Sequence, residues 1–355
     1  MTGIAINGRF LTQGMTGVQR FAAEIVAAAD ALAARSEWPV ARVLHPAGAR
    51  DAGLRSFRTE TVGSRSGQAW EQVDLPRALR GDMLVSLGNT APLMLGARQA
   101  VVIHDAGAFD TPESYSFAFR TWYRLLQKRL ARSGAMILTV SEFSRARIRA
   151  ALGVEAGVIP EGGEHVLRTP ADMAIIEKHG LEGGRFALVV GNPAAHKNLA
   201  ALTAAAETLG DHGLTLAVAG AADPAVFRAG SGVAAESAKL LGRVSDAELR
   251  ALYENALCLI FPSRYEGFGL PPLEAMVCGC PVLAAHAGAV PEVCGEAALW
   301  FDPAQPATLQ DAVSRILEED GLRDGMIRAG LDRAQSFTWE RAARRLLSLI
   351  EGRRA

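Results

Sequence analysis

The chain of 355 residues has little of what marks several whole classes of protein. It holds only four cysteines, and Cys278 and Cys280 two apart with Cys258 and Cys294 alone match neither a zinc spacing nor a secreted disulfide framework. They read as small buried apolar residues. Neither sign of charge dominates, since 37 Lys and Arg against 38 Asp and Glu leave a net charge of −1, which argues against a dedicated nucleic-acid binder. No run approaches the roughly 18 apolar residues of a membrane span, and the segment from Met1 to Gly8 lacks the basic and apolar regions of a signal peptide. A cytoplasmic location is expected. No Asp-x-Asp pair sits in a loop suited to a divalent ion and the other carboxylates show no ligand cluster, so neither a metal nor another cofactor is expected. No GxGxxG follows the first aliphatic run, which removes the main support for a dehydrogenase.

What is present is an alternation. Aliphatic runs at Ile4–Asn7, Met83–Ser86, Val101–His104 and Ile137–Val140 read as buried parallel strands, with helical spacing at Val18–Ala34, Gln68–Leu79 and Tyr115–Ser133 between them. The pattern restarts with strands at Phe186–Val190, Leu214–Ala219, Leu257–Phe261, Pro281–Ala285 and Ala298–Phe301, and helices near Leu199–Leu209, Asp246–Asn255 and Pro272–Cys278. The length suits two domains, and the alternation predicts an α/β protein of two doubly wound, Rossmann-like domains facing across a cleft. The boundaries are expected at 1–168, a glycine-rich linker at 169–184, a second domain at 185–337 and a final helix at 338–355. Ser245-Asp-Ala-Glu248 is a capping box, which makes Leu241-Gly-Arg-Val244 a strand-to-helix loop at the edge where such domains bind ligands.

The segment Phe261-Pro-Ser-Arg-Tyr-Glu-Gly-Phe-Gly-Leu-Pro-Pro-Leu-Glu-Ala-Met276 joins a strand to a helix. Gly267 and Gly269 allow close approach of a ligand, Pro271 or Pro272 suits a first helical position, and the amides from Gly267 through Phe268 to Leu270 with the helix N-terminus form an anion site suited to a diphosphate. Glu266 and Glu274 flank that site eight residues apart, where two carboxylates are useful as acceptors from hydroxyl groups.

The string EGFGLPPLEAM, with its Glu-x7-Glu spacing, resembles the sugar-nucleotide signature of family 4 glycosyltransferases of the GT-B fold. The resemblance extends through Val277-Cys-Gly-Cys-Pro-Val-Leu-Ala-Ala285 and Gly288-Ala-Val-Pro-Glu-Val293, Gly191-Asn-Pro-Ala-Ala-His-Lys-Asn-Leu199, and Leu241-Gly-Arg-Val-Ser-Asp-Ala-Glu-Leu249. Asn7-Gly-Arg-Phe10 and Gly17-Val-Gln-Arg-Phe21 are similar to a mannosyltransferase-like branch. The resemblance implies that Glu266 meets the donor sugar, Glu274 the ribose, Lys197 the phosphates and backbone at Val244 the base. Where many relatives have arginines this chain has Asn192 and His196, which puts a second cationic clamp in doubt and leaves Arg243 or Arg264 to compensate. Gly14 and Gly17 resemble the family's glycine loop near donor phosphates and acceptor, and His104 of the His104-Asp105 pair its sugar-side histidine. Asn89 and Asp105 are further acceptor or sugar candidates.

Transfer tasks thus fall to Glu266, His104 and Lys197, and the implied activity is retaining, metal-independent transfer of a hexose, mannose from GDP-mannose first, to a glycan or lipid-linked acceptor in surface polysaccharide synthesis. A non-catalytic sugar-nucleotide binder and a GT-B-like epimerase are the alternatives. The basic amphipathic stretch 115–133, with Arg120, Arg124, Lys128, Arg129 and Arg132, could rest on an anionic membrane.

Overall fold

A strand buried on both faces is stable in a parallel sheet covered by helices, and the alternation of the chain builds two of them. The computed structural model describes residues 3–191, 194–220 and 238–354. The chain divides into two compact units, Met1–Gly162 with Trp339–Ala355, and Gly163–Thr338.

In the first unit β1 (Ile4–Asn7), β2 (Arg42–His45), β3 (Arg58–Thr61), β4 (Met83–Ser86), β5 (Gln99–Val102), β6 (Met136–Thr139) and β7 (Gly157–Val158) form one sheet in the order β3-β2-β1-β4-β5-β6-β7. All its pairings are parallel. The chain winds away from β1 to β3 and then returns to lay β4 on the other side of β1, so a topological switch point lies between β1 and β4. Helix α1 (Gly17–Ala34) buries Phe21, Ile25 and Leu32, and the C-terminal helix Trp339–Arg354 packs on it with Trp339, Leu346 and Ile350 buried. Helices α2 (Phe117–Arg132) and α3 (Glu142–Leu152) flank β6, with Leu126, Leu130, Ile137 and Ile148 in one core cluster.

Two expectations are corrected in this unit. Strand β2 and the edge strand β3 were not foreseen, because Arg42-Val-Leu-His45 and Arg58-Thr-Glu-Thr61 are too polar to read as buried runs. The helix expected over 68–79 is interrupted by a π turn at Trp70–Asp74 between short α segments. The wider turn carries Trp70, Glu71 and Asp74 all into the interior, with Trp70 Nε1 donating to Val62 O at 2.6 Å.

In the second unit β8 (Phe186–Val190), β9 (Thr215–Ala219), β10 (Ala238–Gly242), β11 (Leu259–Phe261), β12 (Val282–Ala285) and β13 (Ala298–Phe301) form a parallel sheet in the order β10-β9-β8-β11-β12-β13. Its switch point lies between β8 and β11. Helices α4 (Leu202–Asp211), α5 (Asp246–Asn255), α6 (Leu270–Val277), α7 (Pro306–Glu318) and α8 (Leu322–Ala334) cover it. The capping box is formed, Ser245 N donating to Glu248 Oε2 at 2.7 Å and Glu248 N to Ser245 Oγ at 3.2 Å. The four cysteines are unpaired, and burial pushes the thiols of Cys258, Cys278 and Cys294 up to about 12.

The expected linker at 169–184 is corrected as well. The units part at Gly162 and Gly163, and residues 169–184 belong to the second. Ile175 and Ile176 of the short helix Ala174–Lys178 are buried, Asp172 N donates to Ala247 O at 3.0 Å, and Arg250 Nη1 donates to the carbonyls of Leu167 and Thr169 at 3.0 Å each. Glycine density there signals turns closing onto α5.

Candidate functional site

Ligands of doubly wound sheets bind beyond the carboxyl ends of the strands, at the switch point. In the second unit that edge carries Gly191 after β8, Val244 after β10, Arg264 to Gly269 after β11 and Gly288 after β12. Asn192 lies outside the described residues.

The turn Ala195–Lys197 is tied to the loop after β11 by Arg264 N donating to His196 O at 2.8 Å. This contact brings Lys197 onto Glu266, Nζ to Oε1 at 2.6 Å, with side-chain exposures of 18% and 15%. Lys197 Nζ also lies over the Phe261 ring, 5.5 Å from its centroid. The backbone of Glu266 is fixed from its other side by the 288–289 turn, where Ala289 N donates to Glu266 O at 3.1 Å. Gly288 has φ +62°, and a Cβ there would stand 2.7 Å from Glu266 N, so only glycine lets the two backbones meet.

Gly269, at φ +117°, turns the chain into α6. Among the described residues no acceptor meets the amides of Phe268, Gly269 and Leu270. This is the anion-ready part of the loop. The expected contribution of the helix N-terminus is smaller, because Pro271 and Pro272 have no N–H and Leu273 N is used by Gly269 O. Phe268 is buried, edge-on to Phe337 at 5.9 Å.

Glu274 is placed differently from a solvated reader of hydroxyls. It is 7% exposed, with Oε1 2.9 Å from His165 Nε2 and Oε2 accepting from Tyr253 OH at 2.9 Å. Burial and the neighbouring carboxylate hold the Tyr253 hydroxyl well above its ordinary range, so it is a permanent donor. Sequence reasoning missed both partners, and His165 stood in a stretch read only as glycine-rich boundary. It also missed Ser263, three residues before Glu266, whose buried Oγ has no partner among the described residues. Arg243 is exposed and makes no ion pair among the described residues, and Arg264, also exposed, reaches only Pro303 O at 3.4 Å. Neither forms the second cationic clamp in this structure.

In the first unit the predicted residues hold the loops more than they offer groups to a ligand. His104 is 5% exposed, its Nε2 is 3.0 Å from Leu87 O, its Nδ1 is 3.7 Å from Glu161 Oε1, and its ring packs edge-on to Phe21 at 4.8 Å. A sugar contact from His104 would have to displace one of these partners. Asn89, at φ +65°, accepts from His104 N through Oδ1 at 2.8 Å, and Asp105 Oδ1 accepts from Gly107 N at 2.7 Å. Both therefore shape the ends of β4 and β5. Gly14 and Gly17 lie open before and at the start of α1, with nothing within 4 Å of an added Cβ.

Among the described residues no group of three or more His, Cys, Asp or Glu is placed to hold a metal ion, and no helix is long and apolar enough to cross a membrane. The α2 helix is nonetheless amphipathic in an unusual direction: Phe117 is 72% exposed, Leu125 48% and Trp122 38%. Arg124 turns inward, Nε donating to Ala108 O at 2.7 Å, whereas Lys128 stays exposed with Nζ over the Phe109 ring at 5.8 Å.

Comparison with known proteins places this geometry in context. Residues 172–333 match the family described as Glycosyl transferases group 1. The O-antigen chain mannosyltransferase B of Escherichia coli is 32% identical over 259 residues, which are 68% of this chain and 67% of that protein. The O-antigen chain mannosyltransferase RfbU of Salmonella typhimurium is 29% identical, over 64% of this chain and 63% of its own. Among solved structures, sucrose-phosphate synthase from Thermosynechococcus elongatus superimposes with a TM-score of 0.75 at 19% identity, covering 99% of both chains. Anabaena HepE in complex with UDP-glucose gives 0.72 at 18% identity, covering 99% of this chain and all of that one.

Proposed function

Because the chain belongs to the group 1 glycosyl transferases and folds as a GT-B protein, we propose that it moves mannose from GDP-mannose to a glycan or lipid-linked acceptor during synthesis of a surface polysaccharide. The observation that carries this reading is the Lys197–Glu266 ion pair at 2.6 Å, set at the switch point beside three amides that meet no acceptor among the described residues. The mannose choice is supported by the O-antigen mannosyltransferases among the relatives.

The ion pair gives the two side chains their order of action. An incoming diphosphate competes with Glu266 for Lys197, and once Lys197 turns to phosphate, Glu266 is released to accept hydrogen bonds from sugar hydroxyls. Lys197 and the amides of Phe268, Gly269 and Leu270 then stabilise the negative charge that grows on the leaving diphosphate, without a metal ion. Glu274, held by His165 and Tyr253, offers its remaining lone pairs to the ribose, and backbone at Val244 meets the base.

The bond from the anomeric carbon to the phosphate oxygen breaks as the bond to the acceptor oxygen forms on the same face. The acceptor proton passes to the departing phosphate oxygen, so configuration is retained and no enzyme nucleophile is needed. His104 supports the loop in this scheme and does not touch the sugar. The exposed apolar residues of α2, with Arg120, Arg129 and Arg132 nearby, would rest on the anionic inner face of the plasma membrane.

A thermal-shift screen of GDP-, UDP- and dTDP-sugars followed by transfer assays with a lipid-linked acceptor panel tests the reading. GDP-mannose should give the largest stabilisation and a product of retained configuration. Stabilisation by UDP-sugars alone would overturn the donor, and binding without any product would favour a non-catalytic sugar-nucleotide protein.

A further inference from the structure

The chain passes between its two units twice, from Gly162 to Gly163 and from Thr338 to Trp339. On the side of the second unit the two stretches run together, Gly163 N donating to Phe337 O at 3.4 Å. Both end on the donor loop. In the first stretch Gly163 lies against α6, where an added Cβ would stand 2.7 Å from Leu273 Cγ and 3.0 Å from Val277 Cγ2, so glycine is what lets the chain pass this close. Two residues on, His165 is buried in the turn Glu164–Leu167, and its Nε2 lies 2.9 Å from Glu274 Oε1. In the second stretch the Phe337 ring meets the Phe268 ring edge-on at 5.9 Å. Phe337 is itself held: the Arg333 guanidinium lies 5.0 Å from its ring centroid, and Arg333 Nε and Nη2 donate to the carbonyls of Val293 and Glu292 at 2.8 and 2.5 Å.

Each contact fixes a different freedom of the loop. A carboxylate at the end of a flexible side chain settles its plane when each oxygen has its own donor, and here Tyr253 OH on α5 serves Oε2 at 2.9 Å while His165 serves Oε1. Because a carboxylate accepts, Nε2 is the nitrogen of His165 that carries hydrogen. Without His165 the carboxylate pivots about the Tyr253 hydroxyl, and its remaining lone pairs lose their fixed direction. At the other end of the loop the Phe268 amide meets no acceptor among the described residues, and the direction of its N–H follows the setting of its own buried ring. Phe337, backed by Arg333, holds that ring.

We infer that His165 and Phe337 are positioning residues of the donor loop: His165 sets the carboxylate that accepts from the ribose, and Phe337 sets the amide that meets the diphosphate. The assignment rests on the glycosyltransferase reading and deepens it. The ribose and phosphate ends of the nucleotide are each governed by one of the two stretches through which the chain passes between its units.

The test is calorimetry on the full chain with GDP, 2′,3′-dideoxy-GDP and GMP. The parent chain should prefer GDP to either analogue. His165→Leu should shrink the preference for GDP over dideoxy-GDP by about tenfold, the share of one hydrogen bond to a charged group, and leave the preference over GMP as it was. His165→Gln, whose side-chain N–H can take the place of Nε2–H, should restore the ribose preference. Phe337→Leu should do the reverse, shrinking the preference for GDP over GMP by about fivefold with the ribose preference kept. A purely structural brace lowers all the affinities together, and that result, or unchanged ratios in both variants, would overturn the assignment. If His165→Leu does not fold, His165→Asn, which keeps a polar side chain but stops short of Glu274, replaces it. A parent chain that binds GDP and dideoxy-GDP alike would remove Glu274 from the ribose, and His165 with it. If UDP binds in place of GDP, the donor reading falls, while the same comparison with UDP, its dideoxy form and UMP still decides the two residues. Binding of neither nucleotide would overturn both readings.

Discussion

The most informative perturbation of the donor site does not touch either glutamate. Gly288 holds φ +62°, and a Cβ added there would lie 2.7 Å from Glu266 N and 2.9 Å from Glu266 O, where ordinary contacts begin at 3.4 Å. Gly288→Ala therefore meets two penalties. A left-handed conformation costs a residue with a Cβ about 1–2 kcal/mol, and the clash must be relieved by moving one backbone from the other by roughly half an ångström or more. Relief by movement of the 288–289 turn breaks the bond from Ala289 N to Glu266 O; relief by movement of Glu266 takes its carboxylate off the sugar and off Lys197.

Misplacement of a reacting geometry by about 1 Å can cost about 100-fold in rate. The expected result for Gly288→Ala is a fall in transfer of roughly 30- to 100-fold, with affinity for free GDP, measured by calorimetry, changed by less than about threefold. The split follows because the three atoms nearest the added Cβ all belong to Glu266, and none belongs to Phe268, Gly269, Leu270 or the Glu274 network. Transfer within about threefold of the parent chain would show that Glu266 does not need this placement, and would remove it from the sugar. An equal loss of GDP affinity would show that the loop moves as one body.

Lys197→Met should cut both GDP affinity and transfer by more than tenfold, the work of a partly buried cation on a diphosphate, and unaltered calorimetry would refute its phosphate role. Tyr253→Phe leaves Glu274 short of one donor and should cost about 2 kcal/mol of stability and weaken GDP binding; a loss of stability with full GDP affinity would make the His165–Glu274–Tyr253 cluster purely structural. Because Tyr253 and the thiols of Cys258, Cys278 and Cys294 have folded pKa values raised above their ordinary 10.0 and 9.0, their contribution to stability is complete below pH 9 and is lost as pH rises above it. Chemical denaturation should show that alkaline fall, reduced in Tyr253→Phe, and a flat profile to pH 11 would contradict the shifts. On vesicles with anionic lipid, replacing Arg120, Arg129 and Arg132 by glutamate should lower co-sedimentation by about 100-fold or more, from about 1 kcal/mol per charge removed, whereas glutamate at Arg124, which donates to the carbonyls of Ala108 and Phe109, should destabilise the first unit instead. Equal binding by the glutamate variant would leave the exposed Phe117 and Trp122 without a membrane role.

The central strands were legible because their runs are apolar on both faces: Ile4–Asn7, Met83–Ser86 and Phe186–Val190 stand where the sequence places them. Strand β2 and the edge strand β3 were not, since Arg42-Val-Leu-His45 and Arg58-Thr-Glu-Thr61 are polar runs of four residues, too short to separate from a loop. The π turn at Trp70–Asp74 was illegible for another reason. Its sequence carries ordinary helical spacing, and only the inward demands of Trp70, Glu71 and Asp74 reveal the extra residue. In the donor site, Lys197 and Glu266 were chosen by motif and do meet, yet no local pattern announces that Glu274 is met by His165 from 109 residues away and by Tyr253 from 21. Contacts of that separation are created by the sheet order, and a single sequence does not display it.

The two switch points differ in the charge that each can offer. At the second sheet the edge groups are a lysine whose carboxylate partner can be released and amides that have no acceptor, so positive potential becomes available when a diphosphate arrives. At the first sheet the arginine is locked against a carboxylate that is itself held by Asn7 and Thr90, so its charge cannot be released and only its hydrogen-bonding directions are on offer. Coulomb attraction between charges a few ångströms apart is worth several kcal/mol in such surroundings, enough to decide which partially charged end of a substrate settles where. On the proposed reading, a donor drawn by its diphosphate is favoured at β8 and β11 over β1 and β4. Glu71→Gln, which frees the Arg9 charge, should therefore let GDP-mannose inhibit at high concentration by meeting the first edge as well, a substrate inhibition that steady-state kinetics would detect and whose absence would count against this division of charge.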